Sequence, residues 1–205
     1  MRYPHGQTTA SALYSLFANS EYRPVYHSRR NPQIVLKPQD LVVLLRLSLA
    51  KEQMPSYAAL ASELGMTASE VHAALERAHA ARLVRKDRGR PPALLRDALR
   101  QFVLHGAAYA FPAVRGEATR GLPTAYAAAP LRDLVAQPAA EPPPVWPHPK
   151  GAVRGAALYP LYPSVPGAAA KNAALYELLA LFDALRSGAA REHKMASELL
   201  SERLG

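Results

Sequence analysis

Apolar residues recur at helical spacing along much of this chain, and the polar residues between them mark where helices begin and end. The clearest stretch is residues 56–77, where Tyr57, Leu60, Ala61 and Leu64 share one face of a short helix. Ser56 stands at its N-cap position, where a side-chain oxygen takes an otherwise unpaired backbone amide. Gly65 follows the last apolar position, where a left-handed residue ends a helix without a Cβ clash. Thr67 and Glu70 have the spacing of a capping box and open a second helix, with Val71, Ala74, Leu75 and Ala78 facing inward. Small Ala61 lets the two helices approach, and Met66 fills the turn.

The flanking pattern extends this unit. Pro38 suits the first turn of a helix, and Leu41 to Ala50 is so apolar that burial on more than one side is expected. After the helix pair, Leu83-Val84 reads as a short strand and Asp87 to Arg90 as a basic turn. Ala93 to Leu95 reads as a return strand weakened by Pro91 and Pro92. Arg96 to His105 predicts another helix with Leu99, Phe102 and Val103 inward. Residues 1–37 read as a basic arm, punctuated by Pro4, Pro24 and Pro32, with a short helix over Thr9 to Asn19.

The second half is less regular. Tyr109-Ala110-Phe111 reads as a short strand or a packed turn, and Val114 to Gly121 as an ordered loop. Residues 138–167 are rich in proline, yet Val145, Trp146, Leu158, Tyr159, Leu161 and Tyr162 argue for a segment that wraps on a body rather than a spacer. Ala168 to Ser187 closes the pattern with an amphipathic helix whose Leu175, Leu178, Leu179, Phe182 and Leu185 share one face. That face suits either a dimer interface or the chain's own core. Gly188 permits a break before a second helix, Ala189 to Leu204. The expected segments are thus 1–37, 38–105, 106–167 and 168–205.

Composition sharpens the reading. The 205 residues are 49% hydrophobic and carry a net charge of +9, which favours an anionic partner. Seven basic residues against two acidic ones fall between Arg82 and Arg100, directly after the second helix of the pair. The absence of Cys excludes disulfides, thiolate metal clusters and a Cys nucleophile. Met1 is followed by no apolar run like a signal peptide, and no apolar stretch is long enough to span a membrane, so a cytoplasmic protein is expected.

The order helix, helix, turn, helix, basic hairpin resembles winged helix-turn-helix DNA-binding domains, as in MarR-like regulators. The resemblance is carried by Leu60-Ala61, Leu64-Gly65, Val71 and the Arg85–Arg90 turn, and covers about residues 38–100. With the segments read above, the fold expected is mainly α: a winged helix-turn-helix domain with a proline-rich wrapping segment and C-terminal helices. The resemblance implies that the helix from Ala68 enters the major groove, while the hairpin tip reaches the neighbouring backbone or minor groove. On that pattern Thr67 and Ser69 suit phosphate or base-edge contacts beside a helix N-terminus. His72, Ala73 and Arg77 follow along the helix, with His72 and Arg77 the candidates for reading bases. Arg85, Lys86, Arg88 and Arg90 would supply salt-dependent attraction to the backbone. Pro91-Pro92 leaves open whether the hairpin is a paired ribbon or a basic loop.

Other chemistry is sparse. His72, Glu76 and His79 have spacing compatible with a metal site or with a polar surface face, and no metal or cofactor is expected. Arg115 and Arg120 could cradle an anion or a partner within their loop, or form an Arg–Glu clasp; the loop lacks P-loop spacing. The remaining histidines form no catalytic set, so no enzyme activity is expected. The function expected is sequence-specific regulation of transcription on double-stranded DNA, as a repressor acting as a homodimer. The rival is a protein-interaction module, such as the antitoxin-like autoregulatory partner of an enzyme. A small-molecule sensor with its pocket between the winged domain and residues 106–167 is a third.

Overall fold

Asp40 and the apolar run behind it organise the first layer of the structure. The computed structural model describes residues 34–50, 54–135 and 141–205; the expected arm, with its Thr9–Asn19 helix, lies outside them up to residue 33. Helix α1 (Pro38–Ser48) starts at proline, and Asp40 accepts the Lys37 amide at 2.9 Å, satisfying one of the first-turn donors. Leu41 through Leu45 and Leu47 are all buried, so α1 is packed on more than one side as its sequence predicts.

Helices α2 (Tyr57–Leu64) and α3 (Ala68–Ala80) pack on it. Ser56 Oγ accepts the Ala59 amide, and Gly65 ends α2 at φ 63°, a left-handed conformation that glycine takes without strain. The capping box of α3 forms as its spacing predicts: Thr67 Oγ1 accepts the Glu70 amide at 3.1 Å, and Glu70 accepts the Thr67 amide at 2.8 Å. Strands β1 (Val84–Arg85) and β2 (Ala93–Leu94) pair antiparallel over only two residues each. The Leu95 amide adds a bond to the Leu83 carbonyl. The hairpin is therefore a ribbon at its base and a loop at its tip.

Helix α4 (Arg96–His105) and one-turn α5 (Ala107–Ala110) follow. Tyr109 and Ala110 are helical rather than a strand, and Phe111 behind them packs edge-on against Phe102. The segment read as a loop, Val114 to Gly121, is instead most of the longest strand, β3 (Arg115–Pro123). With β4 (Pro144–Pro147) and β5 (Val153–Leu158) it closes a small three-stranded barrel. Strand β3 runs antiparallel to both partners, and β4 lies parallel to β5. Glycine, which reads as a loop signal, acts here as a spacer: a Cβ on Gly121 would collide with the Trp146 carbonyl.

The carboxylate of Asp183 joins barrel and helices. It is buried and accepts bonds from Thr124 Oγ1, Trp146 Nε1 and Arg186 Nε. Burial pushes its carboxyl up, against the opposing pull of Arg186, Thr124 and Trp146. The Arg186 guanidinium spends its other donors on the carbonyls of Phe111, Pro112 and Tyr159. Such a saturated polar centre specifies one arrangement of the pieces it binds.

Helices α6 (Val165–Lys171), α7 (Ala173–Ser187) and α8 (Ala190–Leu204) complete the chain. Leu175, Leu178, Leu179, Phe182 and Leu185 are each at most 3% exposed, because α7 packs against α1, α5, α6, α8 and the 3-10 turn Ala125–Ala127. The apolar face therefore belongs to the chain's own core and offers no surface to a second copy. Residues Ile34–Gly205 form one compact unit, helix-rich with two small sheets. No helix among the described residues is long and apolar enough to cross a membrane.

Candidate nucleic-acid interface

Helix α3 presents two kinds of side chain. Val71, Ala74, Leu75 and Ala78 are buried, whereas Ser69, His72 and Glu76 are exposed and Ala73 is half-exposed. The residues expected at a DNA interface divide accordingly. Ser69 and His72 stand in solvent; the His72 side chain is 57% exposed, with Nε2 3.3 Å from Glu76 Oε1 and its ring 5.8 Å from that of Tyr57. Thr67 is exposed, but its hydroxyl donates to Glu70 Oε2 at 2.9 Å and so serves the cap rather than standing free for a phosphate.

Arg77 overturns its expected role. Its Nε and Nη2 bond bidentately to Asp40 at 2.7 and 2.6 Å, and Asp40 is wholly buried. Those bonds hold the guanidinium charged more firmly than usual. A side chain consumed by a buried carboxylate is not available to a guanine edge. The signal in the sequence was a lone acid near the start of an otherwise apolar helix, but nothing local names its partner.

The hairpin meets the outer face of α3 at Glu76. Lys86 Nζ donates to Glu76 Oε1, and this bond holds the Glu76 carboxyl below the ordinary range. Glu76 thus neutralises Lys86 and leans toward His72, which answers how an acid is tolerated on this face. Arg85 pairs with Asp87 at 3.0 Å. Arg88 and Arg90 are exposed at the tip and make no ion pair among the described residues. Arg82, which the sequence did not single out as a site residue, joins them: it is exposed, in a left-handed backbone conformation at φ 58°, and makes no ion pair among the described residues. Among the described residues, the cations beside α3 without an ion pair are therefore Arg82, Arg88 and Arg90, with Arg85 and Lys86 partly spent on acids.

The N-terminal end of α3 is bordered by a distant segment. Tyr162 donates its hydroxyl to Glu70 Oε1 at 2.7 Å, and Ser164 donates to the carbonyl of Leu64, the last residue of α2. Together with the cap, these bonds hold Glu70 below the ordinary glutamate range: the Thr67 amide contributes most, then Tyr162, then the Thr67 hydroxyl.

The remaining expected sites come apart. Arg115 lies at one end of β3 and donates to the Ser187 carbonyl, whereas Arg120 lies near the other end, so the two do not form one cradle. The His72, Glu76 and His79 trio is divided as well, because His79 Nδ1 sits 3.0 Å from the Val84 carbonyl. One cleft of about 610 Å³ lies behind the hairpin among Leu47, Met54, Arg90 and Leu94. Another of the same volume lies between the barrel and α8, lined by Arg115, Tyr126, Glu141 and Glu192. Neither straddles the region expected for a sensor pocket.

No protein-family model matches the chain, and no match to it was found among curated proteins or solved structures.

Proposed function

We propose that residues 38–100 are a winged helix-turn-helix module that binds double-stranded DNA, and that the protein regulates transcription, most simply by repression. The observation that carries this is the junction at Glu76: Lys86 of the hairpin and His72 of α3 both meet it, so the basic hairpin borders the exposed face of α3. In the roles this assigns, Ser69, His72 and Ala73 face base edges and Arg82, Arg88 and Arg90 approach phosphates. Two such modules would read two half-sites, as a dimer built on a surface other than the buried face of α7.

Selection of binding sites from a random duplex pool, followed by affinity measurements on the winner and on scrambled DNA at two salt concentrations, tests the reading. The expected result is a defined site preferred over scrambled DNA, with an affinity that falls as salt rises. Sequence-blind binding or none would reduce the module to a scaffold for a protein partner.

A further inference from the structure

On the barrel, Arg120 of β3 lies directly opposite Arg154 of β5 in antiparallel register. Opposed residues send their side chains to one face with Cβ atoms about 5 Å apart, and like charges so placed destabilise a sheet. Both arginines are exposed, and no carboxylate among the described residues forms an ion pair with either. The next pair on that face is Ala118 opposite Ala156, so only methyl groups stand beside the charges there.

The turn between β4 and β5 adds to the cluster. The His148 amide donates to the Arg120 carbonyl at 3.1 Å, and the Lys150 amide donates to His148 Nδ1 at 3.2 Å. Lys150 is exposed and likewise free of acids among the described residues. Gly121 and Gly151 make this approach possible, since a Cβ on Gly151 would collide with the Gly121 backbone. Two glycines thus bring the backbone of Lys150 close to β3 beside Arg120, and none of the three cations forms an ion pair among the described residues.

We infer that Arg120, Arg154 and Lys150 bind the phosphodiester backbone of nucleic acid, as a second contact in addition to that of the hairpin; the inference rests on the DNA-binding reading above. All three cations are exposed, and an exposed ion pair with a small anion in water contributes little. A polyanion instead gains from counterion release at every phosphate neutralised. A protein partner would require an apolar centre to its footprint, whereas the register pair next to these arginines, Ala118 and Ala156, offers only methyl groups.

Salt-dependent binding of the full chain to a labelled duplex tests this, comparing the native protein with an Arg120→Ala, Arg154→Ala variant and an Arg88→Ala, Arg90→Ala variant. Loss of the barrel pair should weaken binding on every sequence by roughly tenfold and reduce the slope of log affinity against log salt by roughly two. Arg154→Lys should retain most of the slope, and circular dichroism should show all variants folded. In the absence of DNA, Arg154→Ala should melt higher at low salt, as the opposed charge is removed. An unchanged slope in the barrel variant, with loss only in the hairpin variant, overturns this inference and leaves the proposed function standing. Loss only in the barrel variant supports the inference and overturns the hairpin's role. Binding of polyglutamate, lost in the barrel variant while DNA binding is kept, assigns the face to an acidic protein partner and overturns it. No binding of DNA by the native protein overturns both.

Discussion

Arg77 and Asp40, 37 residues apart in the chain, close a bidentate ion pair that pins α3 to the start of α1. Asp40 is fully buried, so removing its partner strands a carboxylate in the core. Arg77→Ala should therefore cost about 3–5 kcal/mol in urea unfolding, and Arg77→Lys should fall between, since an ammonium replaces only part of the fork. In a DNA-binding assay at a temperature where the variant is folded, site preference should stay as it is. A change of preference at one base pair with native stability would return Arg77 to the interface.

Acid should loosen the contact between the second half of the chain and α3. The folded-state pKa of Glu70 lies below its unfolded value, so the stability it brings is fully present above the unfolded value and is lost as pH falls through the folded one. The melting-temperature gap between the native protein and Glu70→Gln should be widest near neutral pH. It should close as pH drops below the free-glutamate value of about 4.3. Tyr162→Phe should show the same profile with a smaller gap, and a gap independent of pH would dissociate Glu70 from these bonds.

The apolar face of α7 behaves as core in the structure, and substitution should reveal it as such. Phe182→Ala is expected to cost about 3–5 kcal/mol, and Leu178→Asp to prevent folding, because neither side chain can reach water. Sedimentation of the soluble fraction decides the matter. A folded monomer from Leu178→Asp, against a native dimer, would reinstate the face as an interface.

Within the proposed interface, the hairpin tip and α3 should fail in different ways. Arg88→Ala with Arg90→Ala should weaken all duplexes alike and flatten the salt dependence by roughly two units of slope. Ser69→Ala and His72→Ala should instead relax preference at individual positions of the selected site. Uniform loss from the α3 variants would assign those residues to backbone contacts.

What could be read from the chain alone was what neighbouring residues decide among themselves. Ser56, Gly65, Thr67 and Glu70 act on backbone groups one turn away, so the α2–turn–α3 unit and its caps follow from spacing. The burial of α1 and the position of the basic hairpin were legible for the same reason. Tertiary structure alone decided which polar groups meet: Asp40 with Arg77, Glu70 with Tyr162 across 92 residues, and Ser164 with Leu64 across 100. It also turned a glycine-flanked loop into β3 and placed Arg154, rather than Arg115, beside Arg120. Charge and hydrophobic pattern state that such side chains need partners or burial. Which partner each receives depends on how the elements pack, and no local spacing encodes that.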